Sequence, residues 1–285
     1  MSLEPSTHAF GGVSILHAAG CGWGCTIPLE LTCEAFPSDS WPNADQDPHM
    51  LLMQLRPSLV DLTGHDVGES FFLGIRSNIP MSMGLKSSSA VSVSAVRFAA
   101  IMNHIPLSDS KVVQVATQMQ LRAGCTMTGS FDDTWSASGI SGAIIRTDSS
   151  NPSEPVASIN VGSSMCTLLL RGTRKLTLEK SNFMENRSKF EIARDFLMSG
   201  DVRNAIRENA EAVALSTGDK EANEIIDRLF SLDYMANISG SGPAIAVLHE
   251  GDQTTHISEI LDSYGPTITT KILHNNRQMG AVQWA

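Results

Sequence analysis

Pro80-Met81-Ser82-Met83-Gly84-Leu85-Lys86-Ser87-Ser88-Ser89-Ala90, with the apolar run that follows it to Met102, decides the reading of this chain. A glycine, then small hydroxyl residues, then a helix start makes a seat for phosphate. The N–H groups of a helix's first turn have no partner within the helix, and the helix dipole favours an anion there. Gly84 lets the backbone approach a ligand closely. Ser87, Ser88 and Ser89 can cap the helix or offer hydroxyls to a metal ion. The Gly-x-x-x-x-Gly-Lys-Ser/Thr order of a Walker A loop is missing, so this is a different kind of phosphate loop. The run from Ser87 to Met102 has little polar face beyond Arg97. It predicts a largely buried helix, and a buried helix aims its N-terminus rigidly.

Two further glycine-rich segments and one acidic turn surround that loop in the sequence. Gly11 to Gly24 holds five glycines with His17, which reads as a structural residue, among them. Ser239-Gly240-Ser241-Gly242-Pro243 precedes a strand-like Ala244–Leu248 and can form an anion-binding nest of backbone N–H groups. Thr128-Gly129-Ser130-Phe131-Asp132-Asp133 sets a pair of carboxylates in a turn. A carboxylate beside a phosphate seat can act as general base or orient a hydroxyl, and either Asp can instead close an Asx-type turn. Lys86 lies inside the loop of an acidic protein, where its compact ammonium would neutralise a terminal phosphate.

The order and spacing of these segments, from Gly11 to about Leu273, resembles the GHMP kinase superfamily. Gly84-Leu85-Lys86-Ser87-Ser88-Ser89-Ala90 with Thr128-Gly129-Ser130-Phe131-Asp132-Asp133 resembles its archaeal-type shikimate kinase branch, where Lys86 replaces the glycine usual elsewhere. The resemblance implies an α+β fold. Residues 1–150 would form a ribosomal-protein-S5-domain-2-like, ATP-binding domain, and residues 151–285 a ferredoxin-like one. It implies ATP held by Pro80 to Ala90 and by Gly240, Ser241 and Gly242. Mg²⁺ would be held by Ser88 and Asp132. Catalysis would fall to Lys86 with Asp132 or Asp133, Asp132 being the position matched to the family's base. The acceptor would be shikimate, phosphorylated on its 3-hydroxyl, a step of aromatic amino acid biosynthesis. The alternatives are another alcohol kinase of the superfamily, for homoserine or mevalonate, and a non-catalytic ligand-binding relative. Many relatives carry a Glu in the helix after the loop. Lys111 to Ser130 contains no Asp or Glu, and Arg122 stands where a carboxylate is often found. A shikimate carboxylate calls for an Arg, with Arg76, Arg122 and Arg146 as candidates. Thr128, Ser130 and Ser138 are candidates for the ring hydroxyls.

Composition narrows the classes. The chain is 285 residues, 42% hydrophobic and 18% charged, which suits a soluble globular protein with a sizeable core. A net charge of −10 argues against nucleic-acid binding, which needs clustered positive charge. No run of 18 apolar residues suggests a membrane span. Met1 to Pro5 does not read as a secretory leader, so a cytoplasmic location is expected. The five cysteines, Cys21, Cys25, Cys33, Cys125 and Cys166, are odd in number and scattered, and read as free thiols.

Along the chain, residues 11–18 and 25–36 read as strands around a glycine-rich turn, and 38–48 as a loop. Residues 51–62 could be an edge strand or a short helix, and 70–77 reads as extended. Residues 108–123 read as a helix and 139–147 as a strand. Asp148 to Pro155 is the best linker candidate. After it the pattern predicts strands at 156–161, 167–171, 244–249 and 267–273. Helices are predicted at 188–199, 201–217, 220–232 and 254–263.

Overall fold

The computed structural model describes residues 6–43, 47, 49–172 and 178–274. Met1 to Pro5 and part of the 38–48 loop lie outside the described residues. Strands β1 (Thr7–Leu16) and β2 (Trp23–Pro37) pair antiparallel. They are joined by a single helical turn, α1 (Ala18–Cys21), where a bare turn was expected. Gly22, at φ 78°, closes α1, and His17 caps it by accepting the Ala19 N–H on Nδ1 at 3.1 Å. His17 also stacks on Phe183, with ring centroids 4.6 Å apart, so its place is structural.

The 15-residue β2 is the spine of the first sheet. β3 (Leu73–Ser77) pairs with its far end and β4 (Ala143–Arg146) with its near end, while β5 (Ala157–Ser158) adds to β4. Every pairing in the sheet is antiparallel. Four helices accompany it: α2 (Leu55–Thr63), α3 (Ser87–Met102), α4 (Asp109–Arg122) and α5 (Asp132–Ala137). Residues 51–62 thus resolve as helix. α3 packs on β1 and β2 and buries small residues around most of its circumference, from Ser89 and Ala90 to Phe98 and Ala99. α4 is capped by Ser108, whose hydroxyl accepts the Lys111 N–H at 3.2 Å. α5 stands where the sequence suggested only a turn.

The second half opens with β6 (Met165–Leu169), followed by α6 (Lys180–Met184), α7 (Arg187–Met198), α8 (Val202–Thr217) and α9 (Lys220–Ser231). It continues through β7 (Met235–Ile238), β8 (Ile245–His249), α10 (Thr254–Leu261) and β9 (Thr267–Lys271). Its strands form a four-stranded antiparallel sheet in the order β7-β8-β6-β9. α6 and β7 were not foreseen.

Asp148 to Pro155 is not a free linker. The Trp135 indole N–H donates to the Ser153 carbonyl at 2.7 Å, and the Ser110 hydroxyl donates to Glu154 at 2.5 Å. The expected 156–161 strand shrinks to Ala157–Ser158, still in the first sheet. We therefore propose that the division between the two halves falls in 159–164 rather than at 150. Buried amides bind the halves together. Asn209 accepts the His17 N–H at 2.9 Å and donates to Asn237 at 3.1 Å, and Asn237 donates to the Ser14 carbonyl at 2.7 Å. These bonds hold α8 and β7 against β1 and the start of α1.

Candidate functional site

The N-terminus of α3 begins at Lys86, which sits in the left-handed region at φ 65°. For a residue with a Cβ that conformation is costly, by ~1–2 kcal/mol. No side chain caps the helix. The expectation that Ser87 or Ser89 would cap it is corrected: the Ser88 and Ser89 hydroxyls turn to Gln120 of α4, donating to its Oε1 at 3.2 and 3.0 Å. The first-turn N–H groups are thus left to other acceptors. Of the rest of the loop, Met81 and Ser82 are exposed at its tip, Pro80, Met83, Gly84 and Ser87 are half-buried, and Leu85 and Ala90 are buried. The Leu85 carbonyl accepts the Gly12 N–H at 3.1 Å, so the first glycine-rich strand lies directly against the loop.

The third glycine-rich segment closes on the same loop. The Ser239 hydroxyl donates to the Gly84 carbonyl at 2.8 Å, and the Ala244 N–H to the Met83 carbonyl at 3.3 Å. Gly84 has φ +76°, and a Cβ on it would stand 2.0 Å from the Ser239 carbonyl oxygen. A Cβ on Gly240 would meet Lys86 Nζ at 3.2 Å, so that turn flanks the lysine's ammonium. Gly240 and Gly242 are buried and Ser241 is half-buried.

The carboxylates complete the cluster. Lys86 Nζ lies 2.9 Å from Asp133 Oδ1, with the lysine side chain 10% exposed and that of Asp133 31%. Asp132 is 3% exposed. Its Oδ1 accepts the Ser130 hydroxyl at 2.5 Å, and its Oδ2 lies 2.8 Å from the Thr26 hydroxyl. The same Thr26 hydroxyl lies 2.9 Å from Asp133 Oδ1. Both carboxylates converge on Thr26, because β2 presents its hydroxyl between the first two side chains of α5. Gly24 makes the room, since a Cβ there would stand 2.4 Å from Asp132 Oδ1. Burial, then the neighbouring Asp133 charge, pushes the Asp132 carboxyl up to about 7 against the pull of Lys86, Ser130 and Thr26. Burial, then the Asp132 charge, likewise pushes up the Cys25 thiol.

A divalent cation such as Mg²⁺ calls for hard oxygen donors. Among the described residues no three His, Cys, Asp or Glu side chains gather as a metal site. Asp132 has both oxygens engaged, whereas Ser88 and Gln120 offer hard, neutral oxygens at the helix start. That set fits a Mg²⁺ ion whose charge is balanced by phosphates and whose shell is completed by water. The residue facing Ser88 is Gln120, not Arg122, which pairs with Asp61 instead. Sequence reasoning missed Gln120 and Thr26. Of the arginines considered for a carboxylate, Arg76 pairs with Glu34, and Arg146 pairs with Asp148 while lying over Trp23. Only Arg146 is on a strand paired with Gly24–Thr26. Ser130 is committed to Asp132, Thr128 accepts the Ser130 N–H at 3.1 Å, and the Ser138 carbonyl accepts Arg97. A cavity of about 570 Å³ lined by Arg97, His104 and Ser108 lies at the other end of α3, roughly 24 Å along the helix. It contains none of these groups.

Residues 55–139 match the family of GHMP kinases N terminal domains. Over 95% of its length the chain is 26% identical to the shikimate kinase of Methanobrevibacter smithii, covering 97% of that protein. It is 27% identical to the shikimate kinase of Thermococcus kodakarensis, over 93% of this chain and 98% of the other. Its fold is similar to that of Methanococcus jannaschii mevalonate kinase (TM-score 0.70, 12% identity, 96% and 99% of the two chains). It is also similar to homoserine kinase from Cytophaga hutchinsonii (TM-score 0.66, 14% identity, 96% and 97%).

Proposed function

We propose that this chain, built on the GHMP kinase fold with a GHMP kinase N-terminal domain at residues 55–139, is a shikimate kinase. It would transfer the γ-phosphoryl of ATP to the 3-hydroxyl of shikimate, giving 3-phosphoshikimate and ADP. The observation that carries the kinase chemistry is the Lys86–Asp133 pair at the uncapped start of α3. The acceptor is carried by the near full-length likeness to proteins named shikimate kinase.

Phosphoryl transfer needs positioning and charge stabilisation more than covalent help. The N–H groups that open α3 and the Gly84–Lys86 turn hold the terminal phosphates, with the Gly240–Gly242 turn closing over them. Lys86 balances phosphate charge and pairs with Asp133 at 2.9 Å. Asp132 and Asp133 receive the proton that the acceptor hydroxyl gives up. When bound, Mg²⁺ would neutralise phosphate charge beside Ser88 and Gln120.

A coupled assay of ADP release over shikimate, homoserine and mevalonate tests the reading. Release with shikimate is the expected result. Release with homoserine or mevalonate alone would replace the acceptor. Nucleotide binding with no turnover of any alcohol would make the protein a binding relative.

A further inference from the structure

Helix α4 is buried through Val112, Val113, Val115, Ala116 and Met119, yet polar side chains recur on it at every third position: Gln114, Thr117 and Gln120. Positions i and i+3 are neighbours on a helix surface, about 4.5 Å apart along its axis. Each of the three binds a different part of the frame around the site. Gln120 accepts the Ser88 and Ser89 hydroxyls at the start of α3. Its amide nitrogen donates to the Ala116 carbonyl at 3.3 Å, which fixes the amide oxygen toward the serines. The Thr117 and Thr134 hydroxyls lie 2.9 Å apart, and both residues are buried. Thr134 donates its one hydrogen to the Phe131 carbonyl at 3.0 Å, so Thr117 is the donor between the two threonines. Phe131 directly precedes Asp132, and Thr134 directly follows Asp133. Gln114 donates to the Ser153 hydroxyl at 3.0 Å, and the Ser153 carbonyl takes the Trp135 indole N–H. One face of α4 therefore grips both the phosphate seat and the short helix that carries the two acids.

We propose that Thr117 is a positioning residue for the phosphoryl transfer. Through Thr134 it sets how far Asp132 and Asp133 stand from the phosphate seat, which Gln120 holds from the same helix. The proposal rests on the kinase reading above. The Lys86–Asp133 pair also joins the acids to the loop, but it is made of groups that the reaction engages: Lys86 faces phosphate, and Asp133 faces the acceptor hydroxyl. The Thr117–Thr134 bond is closed off from solvent and uses no group that meets a substrate, so it keeps one spacing through the reaction. That spacing depends on the hydrogen. Two hydroxyl oxygens reach 2.9 Å because a proton lies between them. Two methyl groups in their place stay about 3.5–4.0 Å apart. Without the hydroxyls α5 would stand off from α4 by roughly 0.6–1 Å, and its acids would move with it. A misplacement of about 1 Å costs on the order of 10²-fold in rate.

The test is ADP release from ATP and shikimate, with the Tm of each protein, for wild type and four variants. These are Thr117→Val, Thr117→Ser, the double variant Thr117→Val with Thr134→Val, and Val112→Ala. Val112 is a buried residue of α4 on the wall of the cavity at the far end of α3, so its truncation weakens the same helix without breaking the link. Thr117→Val is expected to lower kcat by roughly 10-fold and the double variant by roughly 10²-fold. KM for ATP should change little, because the start of α3 is untouched. Thr117→Ser keeps the hydroxyl and should restore most of the turnover. The double variant replaces both partners by apolar groups of the same shape, so its Tm should stay near that of wild type while its kcat stays low. Val112→Ala should melt lower and turn over as wild type does. A kcat that follows Tm across the set marks a purely structural bond and overturns the proposal. So does wild-type kcat in either valine variant, a serine that fails to rescue, or a raised KM for ATP in place of the lost kcat. If Thr117→Val does not fold, the double variant and Thr117→Ser decide by the same criteria. A wild-type protein inactive on every alcohol sinks the kinase reading and the proposal together. An active wild type with an undiminished Thr117→Val sinks the positioning role only.

Discussion

Gly84→Ala puts the coupling of the phosphate loop to the third glycine-rich turn under direct strain. Two costs are separable. The first is conformational: Gly84 has φ +76°, and an L side chain there costs ~1–2 kcal/mol. The second is steric. The new Cβ would stand 2.0 Å from the Ser239 carbonyl oxygen, where ordinary contact begins near 3.4 Å. The obstacle is backbone, so the turn must move by more than an ångström, losing the Ser239–Gly84 hydrogen bond. Overpacking of that kind and one lost bond add ~2–4 kcal/mol. Gly68 is the control, because its φ is +79° and nothing lies within 4 Å of its Cβ position. Gly68→Ala should therefore lose only ~1–2 kcal/mol, and Gly84→Ala roughly 3–6 kcal/mol. In a chain of this size the second corresponds to a fall in Tm on the order of 10 °C. Thermal unfolding of both variants with a KM for ATP measures the difference. Gly84→Ala melting alongside Gly68→Ala, with an unchanged KM for ATP, would refute the packing of these two turns as a working unit.

Lys86→Met removes the cation between Asp133 and the helix start, and is expected to raise KM for ATP or lower kcat by at least ~10-fold; wild-type kinetics would discard the role. Gln120→Leu leaves the Ser88 and Ser89 hydroxyls without their acceptor, so stability should fall by ~1–3 kcal/mol and Mg²⁺-dependent turnover with it, read by chemical denaturation and ADP release. Asp132→Asn should uncouple stability from activity. Its folded carboxyl titrates near 7 against 3.8 when free, so the folded state holds the proton more tightly, and wild type loses stability as pH rises from about 4 through 7. The neutral amide escapes that loss, so the variant should melt above wild type at pH 8, by on the order of a few kcal/mol, and match it near pH 4. A Tm difference flat from pH 4 to 8 would contradict the burial of that charge.

The elements legible in the sequence are those fixed by local pattern. α3 runs over Ser87–Met102 as predicted, because a run of small apolar residues with one arginine has no other way to be buried. α8 ends at Thr217 before Gly218, and α9 starts at Lys220 behind the Asp219 cap, both signalled by residue type. β7 was not legible. It is four residues long and carries Asn237 inward, where the amide is satisfied by Asn209 and Ser14 from elsewhere in the chain. Asp148 to Pro155 looked like a linker because it is rich in turn formers. Ser153 and Glu154 are nonetheless docked by residues of α4 and α5.

The same distinction governs the site. A serine at a helix start is read as a cap because the nearest orphan donors are its own first-turn N–H groups. Here Gln120, 31 residues from Ser89 in the chain, takes both hydroxyls. That choice leaves the helix start without a side-chain acceptor, which is the condition an incoming phosphate requires. Likewise two adjacent aspartates read as one functional and one structural residue while only α5 is considered. Thr26 reaches them from β2, 106 residues from Asp132, and turns a pair of neighbours into a connected acid–hydroxyl–acid cluster. The sequence motifs mark where anionic substrates can be held. The contacts between distant elements decide which of those groups stay available to them.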